Sequence, residues 1–302
     1  MKTFLPLAIG LLSLCGCTKE PAGRPGPAPR IIFTFQFDSS QERLNNIGQP
    51  SAMPPGHAGQ HPKFNTMSVH YVELAPTAFT PLGGGTVLYK APETTAGGAR
   101  AIHFDSASFA GDGETFFSIP VQDLAPGTYE WLRVSLAYQN FDVRFLLDTT
   151  VQGIPYRQEL TGTLAGFIGF NTYIKNFTIK QQTIPVNANK KQGFWGFETS
   201  VPFGGASYPL QTTGQAPEGA TTVVNPLFAT SPVPPGSCVV TTAFNRKLTI
   251  TGRETADIHI TVSLSTNNSF EWKEVRTDGK WEPGKGEEVV DMGIRGMKAR
   301  VE

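Results

Sequence analysis

The sequence predicts an all-β fold: an antiparallel β-sandwich of Ig-like or prealbumin-like strands with long loops. Three observations carry this. Glycine (32) and proline (24) are plentiful and punctuate short runs of β-branched and aromatic residues. Those runs alternate apolar and polar side chains, the mark of strands with one buried face. No segment sustains a good helical period.

Each element follows from its own pattern. "RIIFTFQFD" sets Ile31, Phe33, Phe35 and Phe37 against Ile32, Thr34, Gln36 and Asp38. "YEWLRVSLAY" puts Leu132, Val134 and Leu136 on one face, with Trp131 and Arg133 on the other. "ADIHITVSLST" puts Ile258, Ile260, Val262 and Leu264 against His259, Thr261 and Ser263. "TDGK" (277–280) reads as a hairpin turn. The best helix candidate is "SSQERLNNIG" (39–48), with a serine cap and Gly48 as its stop. Irregular stretches are expected at 49–66, 90–100 and 204–237. Residues 31–302 are expected to be one continuous unit, with two smaller sandwiches meeting near 150–165 as the alternative.

The first sixteen residues read as an export signal: Lys2, an apolar run from Phe4 to Leu14, then small residues. The run is too short for a bilayer span, which needs about 20 apolar residues. Leu14-Cys15-Gly16-Cys17 resembles a bacterial lipobox, with Cys17 as the acylated residue. More than one acyl chain, at about 0.8 kcal/mol per buried methylene, makes a durable membrane anchor. Residues 17–30 are rich in proline, glycine and polar residues and have nothing to bury, so an extended tether is expected. No aspartate and no acidic run follows Cys17, which by bacterial sorting rules points to the outer membrane, facing the periplasm.

Charge balances, 25 basic residues against 25 acidic, which argues against a nucleic-acid partner. Of the three cysteines, Cys238 is left without a disulfide partner and reads as a small buried hydrophobe. The chain has no Gly-x-Ser-x-Gly elbow, His-Glu-x-x-His pair or phosphate-cradling glycine loop. Adjacent Glu287 and Glu288 would point to opposite faces of a strand, and Glu271 and Glu274 read as a charged strand face. A non-catalytic binding or structural module is therefore expected. Imidazoles from one loop and a neighbouring strand, His57, His61 and His70, are the candidates for copper or another metal. Trp131 and Trp195 are the candidates for stacking on a glycan, and envelope proteins are the other partner class.

The stretches "FQFDSSQERLNNIGQP", "HYVELAP", "GTYEWLRVSLAYQN", "KKQGFWGFET" and "WEPGKGEEVVDMGIRGM" resemble an uncharacterised lipoprotein family of Bacteroidetes-type bacteria. More remotely, the layout is similar to the MbnP-like copper-binding domain. That family opens with a strand like "IIFTFQFD", has a "GTY" strand entry, and carries a tryptophan in a turn of its second half. The resemblance implies a β fold and copper held with the help of that tryptophan. Trp195 in "GFWGF" is the position that matches; the family's second aromatic falls on Phe197, a departure, and no histidine aligns.

"DSA" (105–107) and "DTT" (148–150) match the short acceptor pattern for O-glycans of that bacterial group, at Ser106 and Thr149. Both follow apolar runs where the chain should turn to water, so a glycan there need not enter the core. Intact mass of protein from its native host is expected to exceed polypeptide plus lipid. A mass equal to those two alone rules both sites out.

Overall fold

The computed structural model describes residues 28–216 and 239–302. Cys17, the tether as far as residue 27, and Cys238 lie outside them. The described residues hold nineteen strands and no α-helix. In chain order these are β1 (Arg30–Asp38), β2 (His57–Gln60), β3 (Lys63–Ala75), β4 (Thr86–Lys90), β5 (Glu93–Thr94), β6 (Ala101–His103), β7 (Ser108–Ala110), β8 (Thr115–Pro120), β9 (Gly127–Val151) and β10 (Ile154–Phe167). There follow β11 (Asn171–Thr178), β12 (Thr183–Lys191), β13 (Phe194–Phe203), β14 (Ala206–Gln215), β15 (Val239–Ile250), β16 (Ile258–Ser265), β17 (Phe270–Lys273), β18 (Val289–Met292) and β19 (Met297–Val301).

The architecture is an all-β sandwich whose sheets do not close into a barrel. The main path runs β14-β13-β10-β9-β15-β19-β16-β1-β8, and β3 pairs with the opposite edge of β9 and carries β4 and β7. It is mixed rather than purely antiparallel, because β1 runs parallel to β16. Strand β15 belongs to both layers: it pairs with β9, shifts register between Ala243 and Leu248, and meets β19 at Phe244. The two layers enclose one core. Ile31, Phe33 and Phe35 of β1 and Ile260, Val262 and Leu264 of β16 pack with Val72 and Leu74 of β3 and Leu132, Val134 and Leu136 of β9. Those of β1, β9 and β16 are the residues whose alternation is read in the sequence.

A third layer changes the outer face of β9. The small sheet β12-β11-β6-β5 packs Ile174, Phe177 and Ile184 against Tyr138, Ala165, Phe167 and Phe194 of the main sheet. Both faces of β9 are therefore buried over 132–141, not one. Arg133, on the face opposite Leu132, Val134 and Leu136, is fully buried and paired with Glu73, its cross-strand neighbour on β3, at 2.9 Å. Glu73 also accepts the Gly85 N–H (2.7 Å) and the Tyr71 hydroxyl (3.2 Å). Arg133 also donates to the Thr80 carbonyl (2.7 Å) and Thr241 Oγ1 (3.2 Å). The pair thus ties the loop 76–85 onto the sheet. Gly85 is required there, since a Cβ would stand 2.2 Å from the Leu74 carbonyl oxygen.

Two expectations need correction. Residues 39–48 form bends and a turn, closed by the Leu44–Pro50 bridge, rather than a helix. Asp38 takes the chain out of β1 by accepting the Ser40 and Gln41 N–H groups, an Asx-type turn that competes with helix initiation. The stretches expected to be irregular also hold strands: β2 and the start of β3 within 49–66, β5 within 90–100 and, from 204, β14 at residues 206–215. It is entered through Gly204-Gly205, both at positive φ, the tight-turn geometry of a two-residue hairpin. Residues 150–165 lie in the β9–β10 hairpin, inside the continuous main sheet.

Breaking a buried ion pair leaves one charge without a partner, at about 3–5 kcal/mol. Arg133→Met is expected to cost that much in denaturant unfolding. The double replacement Glu73→Leu/Arg133→Met is expected to stay destabilised and to open 76–85 to protease, because Gly85 N–H and Thr80 C=O then lose their partners. Full recovery by the double variant would contradict this account.

Candidate functional site

The three histidines are placed in different settings. His57 on β2 bonds through Nδ1 to Glu271 Oε1 at 2.6 Å. Glu271 also pairs with Arg43 (2.7 Å), and Arg295 lies 4.0 Å away. Burial pushes the Glu271 carboxyl up. The hydrogen bonds from His57 and Arg43, with the charges of Arg295 and Arg43, outweigh it and hold the group below its usual range. His61 uses Nδ1 to accept the Asn268 N–H (2.9 Å). His70 is buried on β3, its Nδ1 3.4 Å from Ser135 Oγ and its ring 5.5 Å from that of Phe170. Among the described residues no three His, Cys, Asp or Glu side chains gather where they could hold one metal ion. His57, His61 and His70 thus stand in three separate settings, and the described residues do not gather them into one cluster.

His70 deserves a chemical test of its own, because Ser135, His70 and Glu93 are the residue types of a nucleophile triad. The geometry does not support that use. Glu93 Oε1 stands 3.9 Å from His70 Nε2, and Ser135 Oγ, at 3.4 Å, is too far for a strong bond. Ser135 and His70 are 1% and 3% exposed, so no substrate reaches the hydroxyl.

The tryptophans differ too. Trp131 is half-buried on β9, between Ala75 of β3 and Ala243 of β15. Trp195 is half-buried on β13 and its ring occupies the space a Cβ of Gly214 would need (2.4 Å). It heads a row on one face of β13, Trp195, Phe197, Thr199 and Val201, opposite Gly214, Thr212, Leu210 and Tyr208 of β14. This face continues the sandwich core outward, past the point where the facing layer ends. A groove of about 270 Å³ lies on it, lined by Phe145, Leu147, Phe197, Val201, Leu210 and Thr212. Trp281 packs edge-on against two of these residues, Phe145 and Phe197. Leu210 of the groove and Tyr208, further along the same face of β14, are 52% and 51% exposed.

The reverse face makes this platform stiff. Gly196 lets the ring of Phe177 pack directly on the β13 backbone. Glu198 turns its carboxylate onto the N–H groups of Lys180, Gln181 and Gln182. Burial pushes that carboxyl up, but those three bonds and the Lys180 charge win and hold it down.

Of the expected modification sites, Ser106 and Thr149 are both exposed, and Ser106 Oγ is bonded to His103 Nδ1 at 2.6 Å. Comparison with protein-family models, curated proteins and solved structures finds no match to this chain. Tyr208 and Leu210 were not singled out from the sequence; the signal was the alternation of Trp195, Phe197 and Val201 followed by Gly-Gly, a hairpin turn that calls for a returning strand.

Burial holds the His70 imidazole down at about 4, against 6.5 for a free imidazole. The fold favours neutral His70, so stability is full above about pH 6.5 and falls as the unfolded chain takes up the proton. At 1.36 kcal/mol per unit the loss reaches about 3 kcal/mol by pH 4 and then levels off. Glu271 adds a separate loss on further acidification, below its free value of 4.5. Denaturant midpoints from pH 8 to 3 are expected to lose the first phase in His70→Gln and keep the second. An unchanged first phase would contradict the assignment.

Proposed function

We propose that this chain is a lipid-anchored, non-catalytic binding module of a bacterial envelope, held at the outer membrane by acylated Cys17 and facing the periplasm. The β-sandwich is its head, and the ligand lies on the apolar face of β13 and β14. One observation carries this reading: the core face of the main sheet runs on past its cover, leaving Leu210 and Tyr208 half exposed beside an apolar groove. Contiguous exposed apolar surface of this kind marks interaction sites. The stiff backing keeps the cost of ordering low on binding. The buried ionisable groups support the non-catalytic part. Glu73, Glu271 and Glu287 are engaged in hydrogen bonds that hold the fold, and Ser135 is sealed from solvent.

A specific feature favours a glycan as the ligand. Trp195 places an indole over Gly214 on the same face as the groove, and Tyr208 adds a second aromatic further along it. Aromatic rings with one polar edge suit the apolar face of a sugar ring.

Two measurements test the reading. Cys17→Ala is expected to release the protein from membranes or to stall its processing. On a panel of envelope glycans, Trp195→Ala and Leu210→Asp are each expected to weaken binding about tenfold or more, the value of roughly 1.4 kcal/mol of lost contact. The unfolding midpoint of Leu210→Asp, at a half-exposed position, should stay near that of the parent chain. Wild-type binding by both variants would sink the assignment of this face.

A further inference from the structure

We infer that the outer edge of β14 pairs with β14 of a second copy of this chain, in a two-fold antiparallel dimer. The inference is independent of which ligand the neighbouring face takes.

Strand β14 ends the main sheet, and among the described residues no strand lies on its outer side. Every residue of Ala206–Gln215 is exposed except Gly214, which is intermediate. Such an edge is a row of unpaired backbone donors and acceptors, and soluble proteins guard it with lysine, other charges, bulges or a short strand. This edge is ten residues long with no register shift against β13. It also has no charge. Residues 199–217 contain no Asp, Glu, Lys or Arg, in a chain where those types make up 17%. An uncharged strand meets its own copy without like-charge repulsion, which is the electrostatic condition for symmetric self-pairing.

The register follows from proline. Pro209 sits opposite Ser200 and has no N–H to give. Ala216 donates its N–H inward, to the Gly193 carbonyl. In an antiparallel strand these groups alternate, so the odd-numbered residues of β14 face outward. Pro209 blunts the edge at its own position and leaves Gln211, Thr213 and Gln215 as an unbroken outward run. A two-fold axis at Thr213 sets Thr213 against its copy and Gln211 against Gln215, with about six backbone hydrogen bonds. The cross-strand side chains are then neutral and β-compatible: Thr with Thr, and Gln with Gln. On the groove face Thr212 would meet Gly214, over which the Trp195 ring lies. The groove would thus continue across the axis into its copy.

The test uses the full chain in membranes, with Cys238→Ser to remove the competing thiol. Paired residues at an antiparallel hydrogen-bonded position stand about 5.5 Å apart between Cα atoms, within disulfide range. Thr213→Cys is expected to give a species of twice the mass on oxidation, lost on reduction, while Thr150→Cys on the exposed β9–β10 hairpin stays single. Thr213→Lys in the purified, detergent-solubilised chain is expected to convert a sedimenting dimer to a monomer with an unchanged circular-dichroism spectrum, and to remove any concentration dependence of Tm. A monomeric parent chain overturns the inference, including one whose edge is covered by its own residues 217–238. A dimer that survives Thr213→Lys overturns it as well, because the interface then lies elsewhere.

Discussion

The Glu73–Arg133 pair is the constraint on which the rest of the structure depends. Both side chains are wholly buried, and removing two charges from water costs several kcal/mol each before any attraction is counted. That cost is tolerable only when every lone pair and N–H nearby has a partner. Tyr71, Gly85, Thr80 and Thr241 supply those partners, and they come from β3, the loop 76–85 and β15. One ion pair therefore fixes three neighbours around the first half of β9. Burial of the whole group also holds the Tyr71 hydroxyl in its protonated form, so it can go on donating to Glu73.

From that anchored half, β9 runs on for 25 residues in all. Its second half carries β10, β13 and β14 beyond the sandwich. Gln60 caps the edge that β3 leaves open: its side-chain amide donates to Arg144 C=O and accepts Arg144 N–H, each at 2.8 Å, as a strand residue would. Leu146 N–H then goes to Trp281 C=O. The 270–292 excursion is thereby latched to β9, and Trp281 covers Phe145 and Phe197 but not Leu210. The groove exists because that cover stops short.

Much of the sandwich is legible in the sequence, since alternation alone picks out Phe33, Phe35, Val134, Val262 and their partners. What alternation cannot show is a second buried face. Alternation does not mark Arg133 as buried, because its partner lies 60 positions away. His57 looks free in its Pro/Gly loop for the same reason: Glu271 is 214 residues distant and reads as part of a charged strand face. Strand β14 is hidden because Pro209 and Gly214 are turn formers, and exposure on both faces leaves no clean alternation; pairing with β13 makes it a strand. Trp195 is legible as a candidate for ligand stacking, yet it is half-buried, and the surface beside it includes Tyr208 and Leu210, which only the hairpin brings alongside.

Native-state hydrogen exchange at the Gly85 amide tests the central claim most directly. That N–H lies in a loop but donates to Glu73 Oε1 at 2.7 Å, inside the buried pair. If the pair holds the layers together, Gly85 N–H exchanges only through global unfolding, with the same opening free energy as Val134 in the core of β9. Exchange at Gly85 through a local fluctuation, far faster than at Val134, would show that the loop opens without disturbing the sheet and would contradict the account.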